Sequence, residues 1–342
     1  MKGNSLDPAP SSRRSCSIDG TGLVMRLPFA MLALAAGLGG CASLGGASGP
    51  ATPRIDYHQH LVSPAFAPIV KFPEMDGQAL VARLDAAGME KAVALSMGYS
   101  FSDERKKLPD PAGLTRAEND WTARQVVASG GRLIGFCGVN PLRPEALSEI
   151  DRCLSLPGMR GLKLHLGNSG VTLRDPDHVA RMEEVFALLQ RRGAPVLIHM
   201  RARGGKDFGA PDAQIFLDRL VPRAPDVEII VAHFGGAGPG YPEQADEVMG
   251  VFAVAAERGD PRLRNLYFDM ATILVADSTP EEGARAGRRV RQLGPKRILF
   301  GSDMAAPGAP SLSDAWTIFR TKAGLSETEA RVIAGNRLRF TR

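Results

Sequence analysis

The chain has 342 residues, 44% of them hydrophobic and 23% charged, with a formal net charge of +5. That length suits one large barrel or two small domains, and the composition is that of an ordinary folded globule, which excludes a disordered or fibrous chain. No basic run is interleaved with aromatics, so nucleic acid is not an expected partner.

Residues 1–40 stand apart from the rest. Residues 27–40 (LPFAMLALAAGLGG) are apolar, follow Arg26 and end in small residues. They read as a secretory h-region, too short to span a bilayer comfortably. The sequence Leu38-Gly39-Gly40-Cys41 resembles a bacterial lipobox, which implies acylation of Cys41 at a mature N-terminus; a plain signal peptide cut near Ala42 is the other reading. The stretch before Met25 contains Asp7, Asp19 and two prolines, unlike an n-region, and Met25-Arg26 makes a more conventional start. Without residues 1–40 the balance is 42 − 4 = 38 basic against 37 − 2 = 35 acidic, or +3. Residues 41–53 are Gly/Ser/Pro-rich and uncharged, as a flexible tether would be. The expectation is a lipid-anchored protein of the bacterial cell envelope, facing the periplasm, with Ala42 favouring the outer membrane and no membrane contact other than the anchor.

From residue 54 the chain alternates. Apolar runs predict strands at Arg54–His60, Lys91–Gly98, Arg132–Asn140, Met159–Leu166, Ala194–Met200, Val227–Gly235, Asn265–Ala271 and Arg297–Met304. Between them, helical periodicity predicts Asp76–Ala87, Ala117–Ser129, Pro144–Leu154, Pro176–Arg192, Ala213–Pro222, Gln244–Arg258 and Pro280–Leu293, with Asp314–Lys322 and Glu327–Ala334 after the last strand. In one of these, Met182, Val185, Phe186 and Leu189 make a stripe at i, i+3, i+4, i+7. Strand and helix in strict alternation argue for a parallel sheet. An open doubly wound sheet wants a Gly-rich turn after its first strand, and His58-Gln59-His60 stands there instead. The expected fold is α/β, a (β/α)8 TIM barrel over residues 54–342. Cys137 and Cys153 fall in an apolar run and a helical one and read as small buried hydrophobes; Trp121 reads as core.

Five of the six histidines, His58, His60, His165, His199 and His233, fall at or near strand tips; His178 does not. Barrel enzymes place catalytic groups at the C-terminal ends of their strands. His58 and His60, two apart, share one face and reach one metal ion. His199 and Asp303 come from two other tips, and three imidazoles with a carboxylate suit Zn²⁺ with a position left open for water.

Asp56-x-His58-x-His60, His199, His233 and Gly301-Ser302-Asp303 together resemble the amidohydrolase superfamily, and within it the amidohydrolase-related group that includes aminocarboxymuconate-semialdehyde decarboxylase and lactone hydrolases. Glu118-Asn119-Asp120, Gly161-Leu162-Lys163-Leu164-His165 and Gly335-Asn336-Arg337-Leu338 agree with it. The resemblance implies His58, His60, His199 and Asp303 as ligands of a divalent metal, one Zn²⁺, with Asp303 and His233 as catalytic groups that take a proton from water. A binuclear site bridged by a carboxylated Lys163 is the alternative. Lys163, His165 and Arg201 are expected at the substrate, with Arg203 a solvated loop charge. The implied activity is metal-dependent hydrolysis of a small amide, lactone or cyclic ester. Non-oxidative decarboxylation of a small carboxylate is the second reading, and a binding lipoprotein without catalysis the third.

Overall fold

The computed structural model describes residues 51–201, 208–304 and 309–342. The leader, Cys41 with its expected lipidation, and Arg203 lie outside the described residues. The described residues form one compact unit, and Ala51 already belongs to it, its carbonyl accepting from Trp316 Nε1 at 2.7 Å. The remainder of the expected tether, residues 41–50, lies outside the described residues.

Eight parallel strands, β1 (Ile55–His60), β2 (Lys91–Leu95), β3 (Leu133–Gly138), β4 (Met159–His165), β5 (Val196–His199), β6 (Ile229–Val231), β7 (Leu266–Asp269) and β8 (Ile298–Leu299), pair in chain order. Two backbone bonds close the ring: Tyr57 N donates to Phe300 O at 2.9 Å and Asp303 N to His58 O at 2.8 Å. The result is a (β/α)8 barrel. The helices lie where the periodicity places them. Pro176–Arg192 matches end to end, with Asp175 capping its first turn and Gly193 closing it in the left-handed region, as an Asp N-cap and a Gly C-terminus prescribe. No described helix is long and apolar enough to cross a membrane.

Strands β6 and β8 are much shorter than the apolar runs that announce them. The residues beyond their ends leave the ladder for the left-handed region, at His233 (φ 53°) and Asp303 (φ 51°). Non-glycine residues seldom adopt that conformation, and it clusters at functional sites.

Side chains alternate between two layers. Val93, Leu95, Ile134, Phe136, Leu197, Ile230 and Leu299 fill the barrel, while their sequence neighbours Ala94, Cys137, Ile198, Val231 and Ile298 pack outward beneath the helices. Strand β1 breaks this rhythm. Ile55 and Tyr57 face inward, so an unbroken period of two would send His58 and His60 outward. The pairing with β2 shifts register between Asp56 and Gln59, a bulge that re-aims the strand beyond it. Both histidines thereby turn into the barrel.

Asp56 is wholly buried beside that bulge. Its carboxylate accepts from His58 N (3.0 Å), Gln59 Nε2 (2.7 Å), Ser302 N (3.1 Å) and Ser302 Oγ (2.6 Å). Burial pushes its carboxyl up to about 6 although these donors pull the other way.

The reading of Cys137 and Cys153 as separate small hydrophobes is corrected. They form a disulfide with Cα atoms 6.1 Å apart. Cys137 points outward from β3, and Cys153 ends the helix Ala146–Cys153 packed over it, a meeting that only the three-dimensional layering reveals.

Two outcomes follow. Replacing both Cys137 and Cys153 with Ala should lower unfolding stability by roughly 3 kcal/mol, the scale for closing a loop of this length, read as a lower urea midpoint than the oxidised protein's. Asp56→Asn turns an NH₂ group toward donors and should cost about 2–4 kcal/mol, as breaking a buried network does. An unchanged midpoint in that variant would contradict the closing role given to Asp56.

Candidate metal centre

At the C-terminal mouth of the barrel the histidine tips converge on Asp303. Its Oδ1 lies 3.9 Å from His58 Nε2 and 3.7 Å from His60 Nε2, and its Oδ2 lies 3.9 Å from His233 Nε2. The far side of each ring is engaged elsewhere. His58 Nδ1 is 2.8 Å from Asp269 Oδ2, His60 Nδ1 3.1 Å from Leu95 O, and His233 Nδ1 2.8 Å from Ala271 O. These partners only accept, so each Nδ1 carries the proton and each Nε2 turns a lone pair toward Asp303. That is how surrounding acceptors fix the tautomer of a metal-binding imidazole.

Burial keeps His58, His60, His165 and His199 neutral. It lowers His58, His165 and His199 well below the usual histidine value and His60 to about 4. Burial also pushes the Asp303 carboxyl up, but the surrounding imidazoles and Lys163 outweigh it and hold the group at about 2. A carboxylate among neutral imidazoles is the protonation state that a divalent ion requires of its ligands.

The donor set fits such an ion. One nitrogen each from His58 and His60 and one oxygen from Asp303 lie within 4.8 Å of one another. His199 stands one step away. Its ring is 5.1 Å from that of His233 and stacks on His165 at 3.9 Å, and it belongs to neither close group of donors among the described residues. Its Nδ1 is buried with no hydrogen-bond partner, a costly condition for a polar atom and one that coordination relieves. The chemistry and placement of His58, His60 and Asp303 thus suit a divalent ion.

Lys163 and His165 point into the barrel from β4. Lys163 is 1% exposed, with Nζ donating to His58 Nε2 at 3.2 Å; burial lowers it to about 8. His165 Nδ1 accepts from Asn168 N at 3.2 Å, so its tautomer is the reverse of the others and its Nε2 carries the proton. Tyr99, fully buried, lies 5.2 Å from its ring. Arg201 sits half-exposed just past β5, with no hydrogen bond or ion pair to this cluster among the described residues.

Asp269 escaped the sequence reading. At the tip of β7, completely buried, it receives His58 through one oxygen and His233 N (2.9 Å) and Ala271 N (3.1 Å) through the other. The rule that identified the other tips applies to it equally, since Leu266-Tyr267-Phe268-Asp269 is an apolar run ending in a carboxylate. Asp269 also groups with His58 and His233 within 4.8 Å, but its 2.8 Å contact to His58 is a hydrogen bond that orients the ring. Gly301 has a steric reason as well. A Cβ there would stand 2.8 Å from His58 Cβ and 3.4 Å from Asp269 Cβ, so only glycine lets β8 lie this close to the ligand strand.

Known proteins share this architecture. The 5-carboxyvanillate decarboxylase of Sphingomonas paucimobilis superimposes with a TM-score of 0.55 at 18% identity, over 83% of this chain and 96% of that one. An amidohydrolase from Burkholderia multivorans with bound zinc gives 0.57 at 18%, over 83% and 96%. A probable 2-pyrone-4,6-dicarboxylic acid hydrolase from Acinetobacter baumannii gives 0.50 at 16%, over 82% and 96%. Comparison with curated protein sequences finds no match. The family model for amidohydrolases, in contrast, matches residues 55–336, nearly the whole barrel. The chain belongs to the amidohydrolase family.

Proposed function

We propose that the protein is a metal-dependent hydrolase acting on a small carbonyl substrate, an amide, lactone or cyclic ester. The observation that carries this reading is the pairing of His233 with Asp303 inside a ring of neutral imidazoles. His58, His60, His199 and Asp303 would hold the ion, which when bound supplies Lewis acidity toward a carbonyl and lowers the pKa of water.

The residues themselves account for the proton. His233 Nδ1 donates to the Ala271 carbonyl, which leaves Nε2 free to accept. A water oxygen that attacks the carbonyl carbon gives its proton to His233 Nε2. Asp303, 3.9 Å away, stabilises the imidazolium that results, and the proton then passes to the leaving group as the scissile bond breaks. Lys163 provides a buried cation for developing negative charge, and His165 presents an N–H to a substrate oxygen.

Lys163 also favours the second reading. A buried ammonium beside the donor cluster fits a substrate carboxylate, and the S. paucimobilis neighbour is named as a decarboxylase. Assaying purified protein against lactones, amides and aromatic carboxylates separates the two. Release of acid from a lactone or amide supports hydrolysis, while release of CO₂ from a carboxylate without hydrolysis overturns it in favour of decarboxylation.

We also propose that the chain is exported and lipid-anchored through Cys41. The Cys137–Cys153 disulfide supports an exported protein, because such bonds persist in oxidising compartments.

Metal analysis and one variant test the site. Protein never exposed to chelator should hold about one equivalent of Zn²⁺ or a similar ion, as a single catalytic site implies; two equivalents would point to a carboxylated Lys163. His233→Asn should keep the metal and the fold and lose roughly 10²–10⁴-fold in kcat, the scale of a positioned acid–base group. Loss of the ion in that variant would instead make His233 a ligand.

A further inference from the structure

The end of the barrel opposite the metal centre carries its own concentration of charge. Arg160, Arg192, Arg339 and Arg342 line one cleft of about 400 Å³ together with Met159 and Phe340. A hollow of about 260 Å³ shares Arg160, Phe340 and Arg342 with it and adds Lys91. Elsewhere around the ring β1, β3, β7 and β8 are entered through Arg54, Arg132, Arg264 and Arg297. The acidic groups at this end are fewer and mostly engaged: Glu90 with Arg54 and Arg337, Asp151 with Arg192, Asp226 with Arg264, and Glu228 with Arg339. Exposed Arg160 and the Arg342 guanidinium form no ion pair among the described residues.

Cations gather at helix C-termini to balance the helix dipole, and Arg192, in the last turn of its helix, is accounted for in this way. Arg160 and Arg342 are not. One is the second residue of β4, and the other ends the chain beyond a short 3-10 turn.

The N-terminal segment enters the barrel at this same end. Arg54 immediately precedes β1, and its N–H bonds to Ala334 O at 3.4 Å.

We propose that this end of the barrel docks on a membrane surface containing anionic phospholipid, its arginines meeting headgroup phosphates, so that the metal centre opens away from the bilayer. The orientation rests on the lipid-anchor reading; the charge complementarity stands on its own. A basic surface supplies an electrostatic attachment to an anionic bilayer.

The experiment uses purified mature protein mixed with vesicles of phosphatidylcholine, with or without phosphatidylglycerol. Amide hydrogen exchange at residues 157–161 and 337–342 should slow only where phosphatidylglycerol is present. Raising salt to about 0.5 M should restore it, because screening then acts within a few ångströms. The Arg160→Glu/Arg342→Glu variant should keep its thermal midpoint and lose about tenfold or more in docking to phosphatidylglycerol vesicles. Equal exchange on both vesicle types, an unaffected variant, or protection reproduced by millimolar inorganic phosphate without vesicles would each overturn the proposal. The mass of the N-terminal peptide reports acylation of Cys41 separately. An unacylated protein that is still protected by phosphatidylglycerol retires the anchor and leaves the docking standing; an acylated protein without protection does the reverse.

Discussion

The site depends on the closure of the barrel between β8 and β1. Of the groups at the mouth, His58 and His60 come from the first strand and Asp303 from just beyond the last, so nothing but that seam brings them together. Two backbone hydrogen bonds cross it, and the Asp56 carboxylate locks it by accepting from Ser302 on one side and from His58 N and Gln59 on the other. A buried carboxylate so surrounded is costly when any partner is lost, which makes the seam all-or-none. The Gly-Ser-Asp sequence now reads as three functions in three residues. Gly301 permits the approach, Ser302 fastens it and Asp303 faces the donors.

The histidines divide by tautomer, and this division carries more chemical information than their proximity. His58, His60 and His233 each spend Nδ1–H on an acceptor and offer Nε2 as a lone pair, whereas His165 accepts at Nδ1 and offers Nε2–H. Lone pairs suit an ion or a proton to be taken; an N–H suits a substrate oxygen. Burial keeps His58, His60 and His165 neutral, which makes the distinction meaningful, since a doubly protonated ring would offer no lone pair.

Much of this was legible in the sequence because it is written locally. Alternating apolar runs and helical stripes gave the barrel, and ligand-type residues at run ends gave His58, His60, His199, His233 and Asp303. What could not be read depends on residues meeting across the fold. Cys137 and Cys153 look like two unrelated small hydrophobes until β3 and its covering helix are superposed. Asp269 obeys the strand-tip rule and was passed over, because an isolated carboxylate carries less signal than a histidine. The extent of β6 and β8 was overestimated, because apolar residues continue past the point where the backbone turns left-handed to aim His233 and Asp303.

The bulge in β1 has a consequence for the whole strand. Tyr57 serves the barrel's interior and His58 its mouth, although they are adjacent and a regular strand would set them on opposite faces. The reading frame of the strand therefore matters as much as its letters. A strand that kept the Asp-x-His-x-His spelling but paired with β2 without the bulge would rotate both imidazoles beneath the helices. The register of this short segment is thus as binding a constraint on the site as the identity of its histidines.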